Sequence, residues 1–298
     1  MAQRILRWLF LLAVVLPAPA ADCCKGTVAV IETATGKVTM RPPSAATGTA
    51  VSGLEWVTAD SILEVGHAST ATLLLINGHR YELGAGSRAT VTADGLSSVR
   101  GPVRELKPLP PLPKFVPIAD GGDSAPGAVR FRGPNDPQNL YPHAGTAALP
   151  SSLTLRFSPV LDATAYDITL EDESGDVVLQ ERTVSVSLEV PPEKLRTGAH
   201  YSWHVRAIGS AGELGKGVAD FVTLSPEDVE QRTHFAEALG ETAEASRLAL
   251  LADVDLRLGL LAEARAEFEA ALRLKPDDAA IRRTLESVLL YTAGKSAR

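Results

Sequence analysis

Cysteine is almost missing from this chain: there are two, Cys23 and Cys24, side by side. Neighbouring cysteines can close only a strained ring, and no distant partner exists for a loop-closing bridge, so no intrachain disulfide framework is expected. The same shortage removes cysteine-based zinc sites. The six histidines are scattered and none forms a helical His-x-x-x-His pair, so no metal site is expected. Aromatic residues make up 5% of the chain, too few for the stacking platforms that hold sugars or single-stranded nucleic acid. No dense run of lysine and arginine occurs and the formal charge is −7, which removes the electrostatic footprint of a nucleic-acid binder. Also absent are a Gly-x-Ser-x-Gly elbow and a glycine-rich phosphate loop ending in Lys-Ser/Thr. With no motif of any catalytic class, the chain reads as a non-enzyme without a cofactor. Two carboxylates from distant segments could still meet in space, so a carbohydrate-active enzyme stays as a lesser alternative.

Long apolar runs are scarce too. Leu9 to Leu16 is too short to span a bilayer comfortably. Arg4 and Arg7 precede it and Ala18-Pro19-Ala20 follows, the small-x-small pattern read by a signal peptidase. Residues 1–21 are therefore expected to be a secretory signal peptide and the protein to reside in the periplasm, touching membrane only through that export signal. The alternative is an anchor retained over residues 5–20, which would suit a membrane-anchored signal relay. Asp22, standing where lipoprotein processing needs a small residue before Cys23, disfavours lipidation.

What is present falls into three parts, as 298 residues suggest. From Gly26 to Leu106 the chain is strand-rich, with Asn77-Gly78 expected to form a type I′ hairpin turn. The series Gly26-Thr-Val28, Gly36-Lys-Val38, Val51-Ser-Gly53, Ala59-Asp-Ser-Ile62, Ser69-x-Ala71-x-Leu73, Asn77-Gly78, Leu83 and Ser87 resembles a FecR-type extracytoplasmic domain. That resemblance implies a binding or sensing module and names no ligand. Residues 107–137 open with Lys107-Pro-Leu-Pro-Pro-Leu-Pro113 and read as a stiff, then flexible, linker.

Residues 138–223 alternate again. In Tyr201-Ser-Trp-His-Val-Arg-Ala207 the odd positions share one face, the pattern of a half-buried strand. Pro159, Tyr166, Leu195-x-x-Gly198-x-x-Tyr201 and Val205-x-Ala207 resemble a fibronectin type III domain, with Phe157 standing where that family has tryptophan. The resemblance makes Tyr201 a corner residue whose hydroxyl serves the backbone. His200 and His204 share a strand face too far apart to bind one ion. The acidic tip from Glu171 to Asp176 reads as a solvated turn.

From Ser225 the period becomes helical. Ser225-Pro226-Glu-Asp228 is a helix start, and helices are expected at 226–239, 242–257, 261–274 and 277–291. Leu248, Leu251, Ala252, Gly259, Ala264, Phe268, Ala271 and Pro276 resemble one tetratricopeptide repeat, except that Asp255 stands where an aromatic is usual. A single copy cannot bury its own faces, so residues 225–292 are expected to pack on a neighbour, another chain or the sandwich.

The expected fold is multidomain, β then α: a FecR-like β domain, an Ig-like sandwich and a tetratricopeptide-like helical array, each folding separately. The expected function is non-enzymatic binding, scaffolding or sensing, with an envelope protein or cell-wall component as partner and no nucleic acid. The inner helix face at Ser246, Ala249, Asp253 and Arg257 is the expected partner-binding surface.

Overall fold

The computed structural model describes residues 26–114, 135–240 and 242–296, with side chains through 290. The expected signal peptide, Cys23 and Cys24, and the Gly/Ser half of the expected linker lie outside the described residues. Ten strands come first: β1 (Thr27–Thr35), β2 (Val38–Arg41), β3 (Thr49–Val51), β4 (Glu55–Thr58), β5 (Ile62–Val65), β6 (Thr70–Leu75), β7 (Arg80–Leu83), β8 (Arg88–Val91), β9 (Leu96–Arg100) and β10 (Val103–Leu106). They form two five-stranded antiparallel sheets, ordered β10-β7-β6-β1-β4 and β3-β2-β5-β8-β9. Ala29, Ile31, Leu73, Leu75, Leu63 and Val91 fill the space between them.

β1 and β6 depart from simple alternation, and the reason is burial on both faces. Ile31, Leu73 and Leu75 point into the domain's own core, whereas Val30 and Leu74 belong to a second core shared with the helices. The hairpin joining β6 to β7 also differs from expectation. Gly78 takes φ +90° while Asn77 does not enter the left-handed region. Instead of a type I′ turn, Asn77 Oδ1 accepts the His79 amide at 3.1 Å. Gly78 abuts the Leu109 carbonyl so closely that no side chain fits there.

The central β-sandwich contains β11 (Thr146–Ala148), β12 (Thr154–Arg156), β13 (Ala165–Asp172), β14 (Val177–Thr183), β15 (Ser187–Glu189), β16 (His200–Gly209) and β17 (Gly212–Thr223). One sheet runs β11-β17-β16-β13-β14 and the other pairs β12 with β15. β11 lies parallel to β17. Tyr201, Trp203, Val205 and Ala207 are buried along β16 while Arg206 faces solvent, as the alternation requires. The Tyr201 hydroxyl accepts the Arg196 amide at 2.7 Å, closing the corner. Phe157 packs 6.4 Å from Trp203 between ring centroids. At the acidic tip, Asp172 Oδ1 accepts the Ser174 and Asp176 amides.

Four helices follow: α1 (Pro226–Ala238), α2 (Glu244–Arg257), α3 (Leu261–Leu274) and α4 (Ala279–Ser296). Ser225 caps α1, its Oγ accepting the Asp228 amide at 3.1 Å. Small residues Ala252, Ala264 and Ala271 let α2 and α3 approach, with Phe268 fully buried between them. The expected packing on neighbours is realised twice over within the chain. One continuous core joins Val30, Leu54 and Leu74 of the first domain and Ala147 and Leu224 of the sandwich to Phe235, Leu250, Val254, Phe268 and Ile281 of the helices. The first β domain and the sandwich each keep a core of their own, and the helical region shares this third one with both. The helical region is a keystone against which both β domains pack, which covers the faces that four helices alone would leave open. No described helix is long and apolar enough to cross a membrane.

Candidate functional site

Ser246, Ala249, Asp253 and Arg257 do lie along one face of α2, but that face is not free. Asp253 and Arg257 are 0% and 1% exposed, and Ser246 and Ala249 are buried as well. The first β domain covers them. Trp56 Nε1 donates to Asp253 Oδ1 at 2.7 Å, and Arg257 Nε donates to Asp253 Oδ2 at 2.8 Å. Ser246 and Ala249 line a 230 Å³ pocket that they share with Glu32, Gly53, Leu54, Asp278 and Ile281. At its edge Gly53 leaves room for Asp278, whose Oδ1 caps α4 through the Ala280 and Ile281 amides. The expected partner surface is thus occupied from within the chain. Polar residues at helical spacing on α2 looked like an open recognition face, whereas they complement the indole of a distant strand. Trp56→Phe should cost about 1–3 kcal/mol, since it leaves a buried carboxylate oxygen one donor short. Chemical denaturation of the variant against the parent protein measures it.

The expected spacer at 107–113 is also a packed element. In an extended proline-rich strand the period is three, so Leu109 and Leu112 face the same way. Both are buried in the shared core. The Leu109 and Leu112 amides donate to Gly78 and Ile76, while Gln231 Nε2 and Arg257 Nη1 donate to the Pro111 and Pro113 carbonyls. This strap ties the β6–β7 hairpin to α1 and α2. The pair of leucines three apart was the available signal that the run is not a bare linker.

At the other junction, Asp255 explains its own departure from the repeat pattern. Arg232 of α1 grips it in a two-pronged pair, Nε to Oδ1 at 2.6 Å and Nη2 to Oδ2 at 2.8 Å. Burial pushes the Asp255 carboxyl up, and Arg232 pulls against that shift. Glu267 lies behind the pair, 3.5 Å from Arg232. Burial first, then the Asp255 charge, push its carboxyl up to about 9. Glu263 accepts the Tyr141 hydroxyl at 3.0 Å, and burial raises its carboxyl too. One oxygen of each glutamate, Oε2, is buried without a hydrogen-bond partner, which disfavours placing a negative charge there. Among the described residues no three acidic, histidine or cysteine side chains are arranged to hold a metal ion.

Above this cluster, between the sandwich and the outer face of α3, lies an open groove of 680 Å³. That volume is in the range of small-ligand and peptide sites, and junctions between domains are where such sites recur. Leu261, Ala262, Ala266 and Leu289 give it an apolar floor, and Arg156, Tyr141, His143 and Arg265 stand in its walls. The Arg156 guanidinium lies 4.7 Å from the Tyr141 ring centroid, and the His143 ring meets that tyrosine edge-on at 6.3 Å. Burial, and next the charge of Arg265, lower the proton affinity of His143. Sequence reasoning missed this groove, because its walls come from residues more than a hundred positions apart. The only local hint is Leu261, Ala262, Arg265, Ala266 and Glu269 falling along one helix stripe, flanking the one that carries the buried Ala264 and Phe268.

No family model matches the chain, and no curated protein does. Among solved structures, it is similar to FN3tt mut, with 18% identity over 30% of this chain and 93% of that one and a TM-score of 0.25. CopC from Methylosinus trichosporium OB3b is 20% identical over 30% of this chain and 93% of that one, with a TM-score of 0.25. The fn3 domain of the human collagen alpha-1(XX) chain is 27% identical over 34% of this chain and 93% of that one, with a TM-score of 0.22.

Proposed function

We propose that this protein is an exported, non-enzymatic binding or scaffold protein of the periplasm, recognising an envelope protein or a cell-wall component through the groove between the sandwich and α3. The observation carrying this reading is the distribution of surface. The α2 face suited to recognition is sealed by the first β domain, and the groove is the larger open concavity, mixing apolar floor with polar walls. The finer identities belong to the same proposal. A FecR-like first domain is supported by the motif series falling on strands and turns in the expected order. A tetratricopeptide-like helical pair is supported by Ala252, Ala264, Phe268 and Ala271 packing where the repeat pattern puts them. Rigid anchoring of both β domains on one helical keystone suits a scaffold, which must hold its partner at a set geometry.

A photocrosslinking amino acid placed at Ala266 tests it, with Val99 of β9 as the exposed control far from the groove in sequence. Exposed to envelope extract, the Ala266 protein should form discrete adducts that the Val99 protein does not. Equal adducts at both positions, or none at Ala266, would remove the groove as recognition surface. Turnover of a glycan or peptide by the purified chain would refute the non-enzymatic half of the reading.

A further inference from the structure

We propose that the groove between the sandwich and α3 binds a carboxylate carried on a short apolar body, with Arg156 and Arg265 gripping the carboxylate and Leu261, Ala266 and Leu289 receiving the body. This deepens the function proposed above and rests on the groove being the recognition surface. Charge is the first argument. The chain is acidic overall, at −7, yet this groove gathers two guanidinium groups against one carboxylate, Glu269. Arg156 has no acidic partner among the described residues. It rests on the Tyr141 ring, which fixes its plane and leaves its N–H edge available. Arg265 is held by Glu269 at 2.8 Å, but both side chains are substantially exposed. Such an i,i+4 pair is worth only about 0.3–0.5 kcal/mol, so an incoming carboxylate can replace Glu269 at little cost.

The balance of charge also selects among anions. A net charge of one positive unit matches a carboxylate better than a doubly charged phosphate. The second argument is the neighbours. Tyr141 donates its hydroxyl proton to Glu263 beneath the groove, and the phenol oxygen it turns to Arg156 is a weaker acceptor than an incoming carboxylate. His143 lies edge-on to Tyr141 in the same groove wall, with burial and the charge of Arg265 both working against its protonation. It therefore reports on the groove: an anion settling beside it cancels the arginine's influence and raises its proton affinity.

The experiment is a proton NMR titration of the full chain, with the His143 ring signal identified by its loss in His143→Gln. The probes are N-acetyl-Ala-Leu with a free C-terminal carboxylate, its C-terminal amide, and N-acetyl-Glu-Leu-amide, which carries its carboxylate on a side chain. At about 10 mM probe, enough for a millimolar Kd, the His143 pKa should rise by about one unit with a carboxylate probe. The neutral amide should leave it unmoved. Arg156→Gln and Arg265→Gln, with otherwise unchanged spectra, should each abolish the rise. A response to the free terminus alone assigns the site to peptide C-termini, and one to the side-chain probe alone assigns it to acidic residues within a chain. An immobile His143 with both carboxylate probes, or an equal rise with the amide, overturns the proposal. Adducts at Ala266 with no carboxylate dependence would keep the groove as recognition surface while removing the anion.

Discussion

Asp255→Ala is expected to destabilise the helical region by about 3–5 kcal/mol, the cost of stranding a buried charge whose partner has gone. Asp255 is fully buried and the Arg232 side chain is only 20% exposed. The deletion leaves a guanidinium with two lost hydrogen bonds, facing a Glu267 that burial holds toward its neutral form. The pair is not intrinsically stabilising on that scale, because taking both ions out of water offsets most of their attraction. Arg232→Met combined with Asp255→Leu should therefore recover much of the loss. Chemical denaturation followed by tryptophan emission can read this separately for two regions. Trp56 donates to Asp253 on the same helix as Asp255, whereas Trp203 lies in the sandwich core. The Trp56 transition should shift first in Asp255→Ala. A loss below about 1 kcal/mol would show that the pair is dispensable, as exposed pairs usually are.

That position shows where the sequence was readable and where it was not. Local chemistry was legible: Ser225-Pro226 caps a helix, Tyr201 closes a corner, and the alternating run through Trp203 is a strand with one buried face. Each needs only its own neighbours to be interpreted. Asp255 stood out as a misfit to the repeat pattern, but its partner Arg232 is on the preceding helix and no periodicity links the two. Leu73, Leu74 and Leu75 were legible as a strand, and their unbroken apolarity meant that a second body covers the outer face. The strap was misread for a related reason. Proline predicts extended geometry but not solvation, and only the leucines at 109 and 112 disclose a buried side. Ser246, Ala249, Asp253 and Arg257 were grouped on one face as α2 requires, yet a helix face does not declare whether its partner lies in another chain or two hundred residues upstream. The groove needed three distant segments at once and left almost no trace in the sequence.

The protein should also lose stability as pH rises between about 4.5 and about 9. Glu267 is the main source. Its carboxyl is raised from 4.5 to about 9, burial being the largest cause and the Asp255 charge the next. In that window the folded chain holds a proton that the unfolded chain has released. Stability then falls with rising pH, by about 1.4 kcal/mol per pH unit for one proton, and stops falling once the folded group also ionises. Solvent relaxation reduces the total to a few kcal/mol, but the direction stands, and Glu263 adds to it with the same sign. Glu267→Gln should keep the neutral shape, flatten the slope over that range and leave the variant more stable than its parent near pH 9. Denaturation midpoints across the range measure both effects. An unchanged slope, or a variant weaker than its parent at the alkaline end, would mean that Glu267 is ionised in the folded chain and held by Arg232. The location of the cluster predicts what fails first. Arg232, Asp255 and Glu267 bind three helices together, while Glu263 reaches across to Tyr141 in the sandwich. Ionisation at this site therefore strains the sandwich–helix junction, and alkaline loosening should alter the His143 environment before the Trp56–Asp253 contact on the opposite side of α2 gives way.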